Sequence, residues 1–106
     1  SCAVSYARFG TSTYGGAIYS TGTSAHIDLN NCTFSNNHAA YGGAIYMVDG
    51  ILDIRNSVFT NNYATYYGGA IVSDNANVTV KKSRFNGNYA LNDAGYGLHH
   101  TYPKRK

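Results

Sequence analysis

The sequence predicts an all-β protein, a parallel β-helix of about four coils with three short strands in each coil. Three observations lead to this prediction. A Gly-Gly-Ala-Ile motif occurs three times, and so does a Phe followed three residues later by Asn; apolar and polar residues alternate before each of these Phe residues. Both motifs recur every 25 to 27 residues, and a period of this length is typical of proteins built from stacked repeats.

The first predicted strand of a coil lies before the Phe. Residues 27–29, 52–54 and 78–80 each read apolar, polar, apolar, which is the pattern of a strand with one buried face. A short turn follows, and a second strand directs the Phe inwards. The Phe column contains Phe9, Phe34, Phe59 and Phe85. Aligning the first coil on Phe9 places residues 2–4 beside residues 27–29.

A polar corner follows each of the last three Phe residues. It contains Asn37, Asn62 or Asn88, and an Ala comes two residues later. Asn accepts left-handed backbone geometry and bonds to nearby backbone groups. Asn side chains at equivalent positions of stacked strands can also bond to one another. We therefore expect an Asn column at this corner, with the small Ala inside the corner.

The third predicted strand carries the glycine motif. Two adjacent Gly residues indicate positive φ angles or a close approach of backbone segments. The motif residues that we expect to stack are Gly15, Gly16, Ile18, Gly42, Gly43, Ile45, Gly68, Gly69 and Ile71.

The repeat pattern weakens towards the end of the chain. Residues 91–98 resemble a degenerate glycine motif, and the basic segment Lys104–Lys106 follows. We predict a single β-helix domain over residues 1–98 and a basic tail over 99–106. A solenoid with open coil ends favours contact between copies, since apolar rungs and unpaired strand edges need a cover. The chain is then either part of a longer stalk or a subunit that stacks end to end into a filament, and we favour the filament.

The charge composition argues against a nucleic-acid surface. The formal net charge is +3, and Lys104–Lys106 account for all of it, so the rest of the chain is neutral. Nucleic-acid binding needs many cations on one face. No apolar run is long enough to span a membrane, and no signal segment stands at the start. Few charges among many Tyr, Asn, Ser and Thr residues favour an extracellular or cell-surface protein.

The paired GGA[ILV] and FxxN motifs over residues 2–90 resemble the repeat of the chlamydial polymorphic outer-membrane proteins, which is also found in Pmp-like bacterial and archaeal surface proteins. The resemblance implies a right-handed β-helix, extracellular display and adhesion.

Asp28 and Asp53 form an outward column, and Arg55 lies on the same face. In β-helical polysaccharide lyases, such carboxylates hold Ca²⁺ and an Arg or Lys acts as base. The alternative is a solvated face on which Arg55 reduces repulsion between the carboxylates. Because Ca²⁺ needs six to eight oxygen ligands, we favour the second interpretation.

The histidines do not form a site in this alignment. His38 aligns with Tyr63 and Tyr89 as a corner residue, His26 lies apart, and adjacent residues such as His99 and His100 point in opposite directions on an extended strand. We therefore predict no catalytic residues, no metal and no cofactor.

Tyrosines form two further columns. Tyr14, Tyr41 and Tyr67 precede the Gly pairs, while Tyr19 and Tyr46 follow the Ile of the motif. Exposed tyrosines in columns can bind sugars or pack against neighbouring molecules, or they can simply cover the strands.

Two glycosylation sequons begin at Asn31 and Asn77. Cys2 and Cys32 are an even pair, as in many secreted proteins with a disulfide. In the Phe9 alignment they lie five positions apart, which exceeds the reach of a disulfide. We therefore expect no bridge between them, unless the first strand peels away or a second chain supplies the partner.

These observations together predict a non-enzymatic, extracellular structural and adhesive β-solenoid. Its expected partners are further copies of itself, glycans or host and cell-surface molecules, without nucleic acid or membrane insertion. Two alternatives stay open: a carbohydrate-binding stalk fragment of a larger adhesin, and a polysaccharide lyase-like enzyme.

Overall fold

The computed structural model describes residues 14–91 in full and the backbone of two further strands, at residues 2–5 and 98–101. This part of the chain contains β-strands and no helix, which confirms the all-β prediction. None of it therefore forms an apolar helix of membrane-spanning length. The strands are β1 (Cys2–Ser5), β2 (Ile18–Thr21), β3 (His26–Asn30), β4 (Cys32–Ser35), β5 (His38–Tyr41), β6 (Ile45–Val48), β7 (Ile51–Arg55), β8 (Val58–Thr60), β9 (Tyr63–Tyr67), β10 (Ile71–Asp74), β11 (Asn77–Lys81), β12 (Arg84–Asn86), β13 (Tyr89–Ala90) and β14 (Leu98–Thr101).

The strands form four parallel sheets. The glycine sheet contains β2, β6, β10 and β14, and the aspartate sheet contains β3, β7 and β11. The phenylalanine sheet contains β1, β4, β8 and β12, and the alanine sheet contains β5, β9 and β13. Strands that pair are never consecutive in the chain: from β2 to β6, and again from β6 to β10, the chain passes through the other three sheets before it returns to the glycine sheet. This winding path is that of a β-solenoid.

Each complete round contains four strands, whereas the sequence predicted three. The missed strands are those of the alanine sheet, at the place where the sequence suggested only a corner. Their alternation is hidden, since Ala39 and Ala40 are both buried and a bulge shifts the register between Ala39 and Tyr41. Small adjacent Ala residues give no period-two signal.

Residues with positive φ occupy the corners between the sheets. The non-glycine examples are Asn31, Asn36, Asp49, Asn56, Asn61, Asn75 and Lys82. Asn and Asp adopt this geometry more readily than other side chains. At the corner after the Phe strands the residues are Asn36, Asn61 and Gly87, one position before the predicted Asn column. The buried column itself bonds along the stack: the Nδ2 of Asn37 donates to the Oδ1 of Asn62 at 2.9 Å.

The core is a stack of equivalent apolar residues. Phe34, Phe59 and Phe85 lie one above another with ring centroids 4.8 Å apart at both steps and with nearly parallel planes. Ile45, Leu52 and other large apolar side chains are fully buried beside this stack. Burying one such side chain contributes about 1.5 to 3 kcal/mol, so the aligned apolar columns stabilise the fold.

The two glycines of each motif have different roles. The first glycine has a positive φ in every copy, at Gly15, Gly42 and Gly68. The second glycine lies against backbone of the neighbouring round; a Cβ on Gly43 would lie 2.6 Å from the backbone N of Tyr63. The motif therefore combines a turn with a close approach of two sheets.

The register of the first strand differs from the prediction. β1 pairs with β4 so that Val4 lies beside Phe34 and Cys2 lies beside Cys32. The alignment of Phe9 with Phe34 is therefore wrong by five positions, and Phe9 itself lies outside the described residues. The error arose because the alignment required a Phe in that column, where the first strand has Val4.

This register also overturns the expectation that the cysteines stay unbridged. Cys32 is disulfide-bonded, and Cys2 is the other cysteine of the chain and its register partner. A bridge closing a loop of this length stabilises a protein by about 3 to 4 kcal/mol.

The strand β14 crosses the predicted domain boundary. Leu98 pairs with Ile71, and His99 and His100 continue the same strand. Leu98, the last residue of the degenerate glycine motif, thus lies in the Ile column. The predicted domain boundary after residue 98 falls inside β14. His99 and His100 extend the glycine sheet instead of beginning a tail.

Candidate functional site: the tyrosine face

The two predicted tyrosine columns merge into one surface, which we call the tyrosine face. Strand pairing aligns Tyr14 with Tyr41 and Tyr41 with Tyr67, and it aligns Tyr19 with Tyr46. Both columns are therefore confirmed. The tyrosine face consists of Tyr14, Tyr19, Tyr41, Tyr46, Tyr66 and Tyr67.

Contacts between the columns join them into a continuous surface. The ring centroids of Tyr14 and Tyr46 are 4.6 Å apart, and those of Tyr41 and Tyr46 are 6.4 Å apart. Within one column, the rings of Tyr14 and Tyr41 stack at 5.1 Å. Aromatic pairs at such distances each contribute about 0.5 to 1.5 kcal/mol beyond their burial. The rings are therefore held in place before any partner binds.

Tyr66 also belongs to the tyrosine face, although it was not in either of the columns predicted from the sequence. Its ring stacks on Tyr41 at 5.1 Å, although strand pairing aligns Tyr41 with Tyr67. The bulge in this pair of strands brings the extra residue onto the same surface. The sequence indicated this extra member, because two adjacent tyrosines, Tyr66 and Tyr67, stand where the preceding round has the single Tyr41.

The outer part of the face is open to solvent. Tyr19 is 57 % exposed, Tyr14 is 41 % exposed and Tyr66 is 38 % exposed. Tyr41, Tyr46 and Tyr67 are half-buried beneath and between them. The arrangement offers flat aromatic surface that a sugar ring or an apolar side chain can cover, with phenol hydroxyls for hydrogen bonds.

The electrostatics of the face centre on Tyr46. Burial is the largest of the effects that together raise the pKa of Tyr46 to about 12; the negative charge of Asp74 and the neighbouring tyrosines Tyr67, Tyr14 and Tyr19 act in the same direction. The neutral phenol is thus favoured twice, because both burial and a nearby carboxylate oppose its ionisation. Tyr46 stays a hydrogen-bond donor well above neutral pH.

We expect Tyr46 to ionise near pH 12, above the ordinary tyrosine pKa of 10.0. Since the folded-state pKa exceeds the unfolded one, the associated stabilisation is present below pH 10 and is lost as the pH rises through about 12. Tyrosinate absorbance of the native protein measures this, with Tyr46→Phe removing the late phase and Asp74→Asn moving it to lower pH. A wild-type curve without a late phase would contradict the assignment.

The second candidate surface carries Asp28, Asp53 and Arg55. The register stacks Asp28 on Asp53 as predicted. Arg55 Nη2 donates to both carboxylate oxygens of Asp28, at 3.0 and 3.2 Å, while Asp53 Oδ2 lies 3.0 Å from His26 Nε2. A shallow cavity of about 270 Å³ lies beside these residues. Both carboxylates thus already have partners, Arg55 for Asp28 and His26 for Asp53.

The remaining predicted positions lie elsewhere on the surface. His38 aligns with Tyr63 and Tyr89, and its ring stacks on Tyr63 at 4.2 Å. Asn31 is exposed at a corner, and Asn77 is exposed at the start of β11; their glycosylation stays a prediction. Within residues 14–91, no three His, Cys or Asp side chains come together in a group that could hold a metal.

A family model described as the Chlamydia polymorphic membrane protein repeat matches residues 31–47 and 56–74. Each matched segment contains one Phe strand and the glycine motif that follows it. The resemblance predicted from the motifs is confirmed for these two copies, which together make up about a third of the chain. No curated protein and no solved structure matches the chain.

Proposed function

Starting from this repeat, we propose that the chain is a non-enzymatic structural and adhesive unit of a cell surface. It forms a right-handed β-solenoid of about four coils and presents the tyrosine face to glycans or proteins of another surface. The matched repeat supports the surface location, because the family description names a membrane protein. The stacked parallel sheets support the structural role, since they give a rigid body of repeating cross-section.

The tyrosine face is the observation that carries the adhesive part of the proposal. It combines exposed rings, Tyr14 and Tyr19 foremost, with ring-to-ring contacts that fix their positions. Tyr is enriched in protein interfaces because it supplies a large contact area at a small cost in conformational entropy. A partner therefore meets an ordered aromatic surface and does not have to order it.

The proposed absence of catalysis is supported by the pairing on the aspartate sheet. A Ca²⁺ site needs six to eight oxygen ligands, and among the described residues only the two carboxylates of Asp28 and Asp53 stack on this sheet. Arg55 donates two hydrogen bonds to Asp28, and His26 lies against Asp53, which is the charge compensation expected on a solvated face. Depolymerisation of an acidic polysaccharide by the purified protein, abolished in Asp53→Ala, would contradict this part of the proposal.

We expect a Tyr14→Ala/Tyr19→Ala variant to lose at least about tenfold in adhesion, since interface aromatics often contribute 1 to 2 kcal/mol or more each. Adhesion is measured as binding of labelled protein to intact cells and to an array of neutral and acidic glycans. Tyr89→Ala is the matched control, because Tyr89 is 51 % exposed but lies on the alanine sheet outside the face. Equal losses in both variants would contradict an adhesive role of this face.

We also propose end-to-end association of copies, which one observation favours. In the last described round, Val80 is 37 % exposed and Phe85 is half-buried. Their counterparts one round earlier, Ile54 and Phe59, are fully buried. A second copy placing its own rung on this end would continue the apolar columns and the parallel pairing, and such a contact propagates into a fibre.

We expect Val80→Lys to abolish this association while the wild-type protein forms larger species as its concentration rises. A lysine at that end would place a charge between two apolar rungs. Ile51→Lys is the control, because Ile51 is 41 % exposed and its column neighbours, His26 and Asn77, are polar. Sedimentation velocity and electron micrographs provide the measurement. A wild-type protein that is a discrete monomer at all concentrations would overturn this proposal without affecting the adhesive one.

A further inference from the structure

The cations of the described residues are concentrated at one corner of the solenoid. Residues 14–91 contain four Lys and Arg residues, and all of them lie where the aspartate sheet turns into the phenylalanine sheet. We call this set, Arg55, Lys81, Lys82 and Arg84, the basic corner. The neutral charge sum of residues 1–103 conceals this segregation.

Three of these charges have no acidic partner. Arg55 is neutralised by Asp28, whereas Lys81, Lys82 and Arg84 form no salt bridge with any residue of the described part of the chain. All three side chains are exposed. Lys81 pairs in register with Arg55, whose charge Asp28 already compensates. The cations left for an external anion are therefore Lys81, Lys82 and Arg84.

The scaffold does not require cations at these positions. Two rounds earlier, the equivalent residues are Asn30, Asn31 and Thr33. The contrast is strongest at Lys82, which has a φ of 51° where Asn31 and Asn56 have 61° and 53°. Left-handed geometry favours Asn over Lys. A residue that is less suited to its backbone than its counterparts indicates a function for its side chain.

Lys81 lines the cavity beside Asp28 and Asp53, and a separate groove lies at Lys82 and Arg84. The groove has a volume of about 450 Å³, and Lys82 and Arg84 line it together with Asn56, Ser57, Val58 and Ser83. Lys81 and Arg84 lie on the two sides of the turn at Lys82, so three residue steps separate them by at most ~10 Å.

We propose that the basic corner binds a sulfated polysaccharide, with Lys81, Lys82 and Arg84 each meeting an anionic group. Three unpaired cations at one corner, two of them lining a groove, suit a chain with one or more sulfates per disaccharide. Duplex DNA offers a wider array of phosphates, and proteins that bind it neutralise more of them. The basic corner is a separate surface from the tyrosine face, so this proposal does not depend on the proposed adhesive role.

The test compares two variants that lose the same charge. Lys81→Asn/Lys82→Asn/Arg84→Thr replaces the basic corner with the residues of the equivalent earlier positions, and it should therefore fold. Lys104→Asn/Arg105→Asn/Lys106→Asn removes three cations from the end of the chain. Thermal unfolding checks the fold of both variants, and Arg84→Thr alone serves as the variant if the triple change unfolds.

Binding is measured by titration with a size-defined heparin oligosaccharide at several salt concentrations, with desulfated heparin, duplex DNA and anionic lipid vesicles as parallel probes. We expect the corner variant to lose at least about tenfold in heparin affinity and the slope of log K against log salt to fall by about two. The variant at the chain end should keep both. Equal losses in the two variants, or equal wild-type affinity for desulfated heparin, DNA or vesicles, would overturn the proposal.

Discussion

Replacing Asn62 with alanine is expected to lower the free energy of unfolding by about 3 to 5 kcal/mol, because several buried groups lose their partners at once. The side chain of Asn62 is fully buried. Its Oδ1 accepts hydrogen bonds from the N and the Nδ2 of Asn37, at 3.0 and 2.9 Å. Its Nδ2 donates to the Oδ1 of Asn88 at 2.8 Å and to the carbonyl of Phe34 at 3.0 Å.

Alanine leaves the backbone N–H of Asn37 and the carbonyl of Phe34 without these partners in the interior. The ladder is also continuous, so the loss of its middle member separates Asn37 from Asn88. Chemical denaturation of the two proteins under matched conditions gives the difference. Asn86→Ala is the control, since Asn86 is exposed on a neighbouring strand, and surface changes of this kind stay within about 0.5 kcal/mol. Equal shifts for the two variants would show that the ladder does not stabilise the fold.

The sequence predicted those parts of the fold in which one residue type recurs at successive levels. Phe34, Phe59 and Phe85 repeat a large flat ring, and Asn37, Asn62 and Asn88 repeat an amide that can donate to one neighbour and accept from the other. Such columns repeat identically, and repetition makes them visible. The sequence did not predict the strands of the alanine sheet, because the small side chains of Ala39 and Ala64 do not produce a clear alternation of apolar and polar residues.

The first strand shows where column matching fails. The place of a column in a solenoid determines how buried and how large its residues are, but it does not determine which residue type occurs there. Val4 lies in the Phe column, so an alignment of Phe9 with Phe34 shifts the first strand by five positions and separates Cys2 from Cys32. A register in which the two cysteines are opposite would have satisfied both the apolar column and the even cysteine count.

The tyrosine face and the basic corner depend on how neighbouring columns are placed relative to one another, which the alignment of the repeats does not give. The contact of Tyr14 with Tyr46 depends on the angle at which the alanine sheet meets the glycine sheet. The basic corner likewise depends on Lys81 and Arg84 lying on two sides of one turn. Alignment predicts neighbours within a column, and the turn geometry then decides which columns lie side by side.

Replacing Gly43 with alanine is expected to cost more than about 4 kcal/mol, which places it among the most damaging single changes. The φ of Gly43 is not positive, so the expected loss of stability comes from steric overlap of the new methyl group and not from backbone strain. A Cβ would lie 2.6 Å from the N and 2.7 Å from the O of Tyr63, and still closer to the carbonyl O of Gly69. All three atoms belong to backbone, which cannot rotate away as a side chain can.

Relief of this overlap requires the round that contains Gly43 to move away from the next one. The N of Gly43 donates to the O of Gly68 at 2.9 Å, and the N of Tyr63 donates to the O of Asn37 at 2.8 Å. Separation would lengthen both bonds and open the core beneath them. The measurement is the denaturation midpoint, or the fraction of folded soluble protein where no transition remains.

The control for Gly43→Ala is Gly87→Asn, which adds a larger side chain at another glycine of the solenoid. Gly87 has a φ of 74°, and the equivalent Asn36 and Asn61 have 58° and 57°. The nearest atom to a new Cβ there belongs to the side chain of Asn61, which can move. We therefore expect a cost below about 1 kcal/mol.

If Gly43→Ala is as mild as this control, the second glycine of the motif does not set the distance between the glycine and alanine sheets. If only Gly43→Ala is severe, close approach explains why each motif copy has a second glycine after the one that turns the chain.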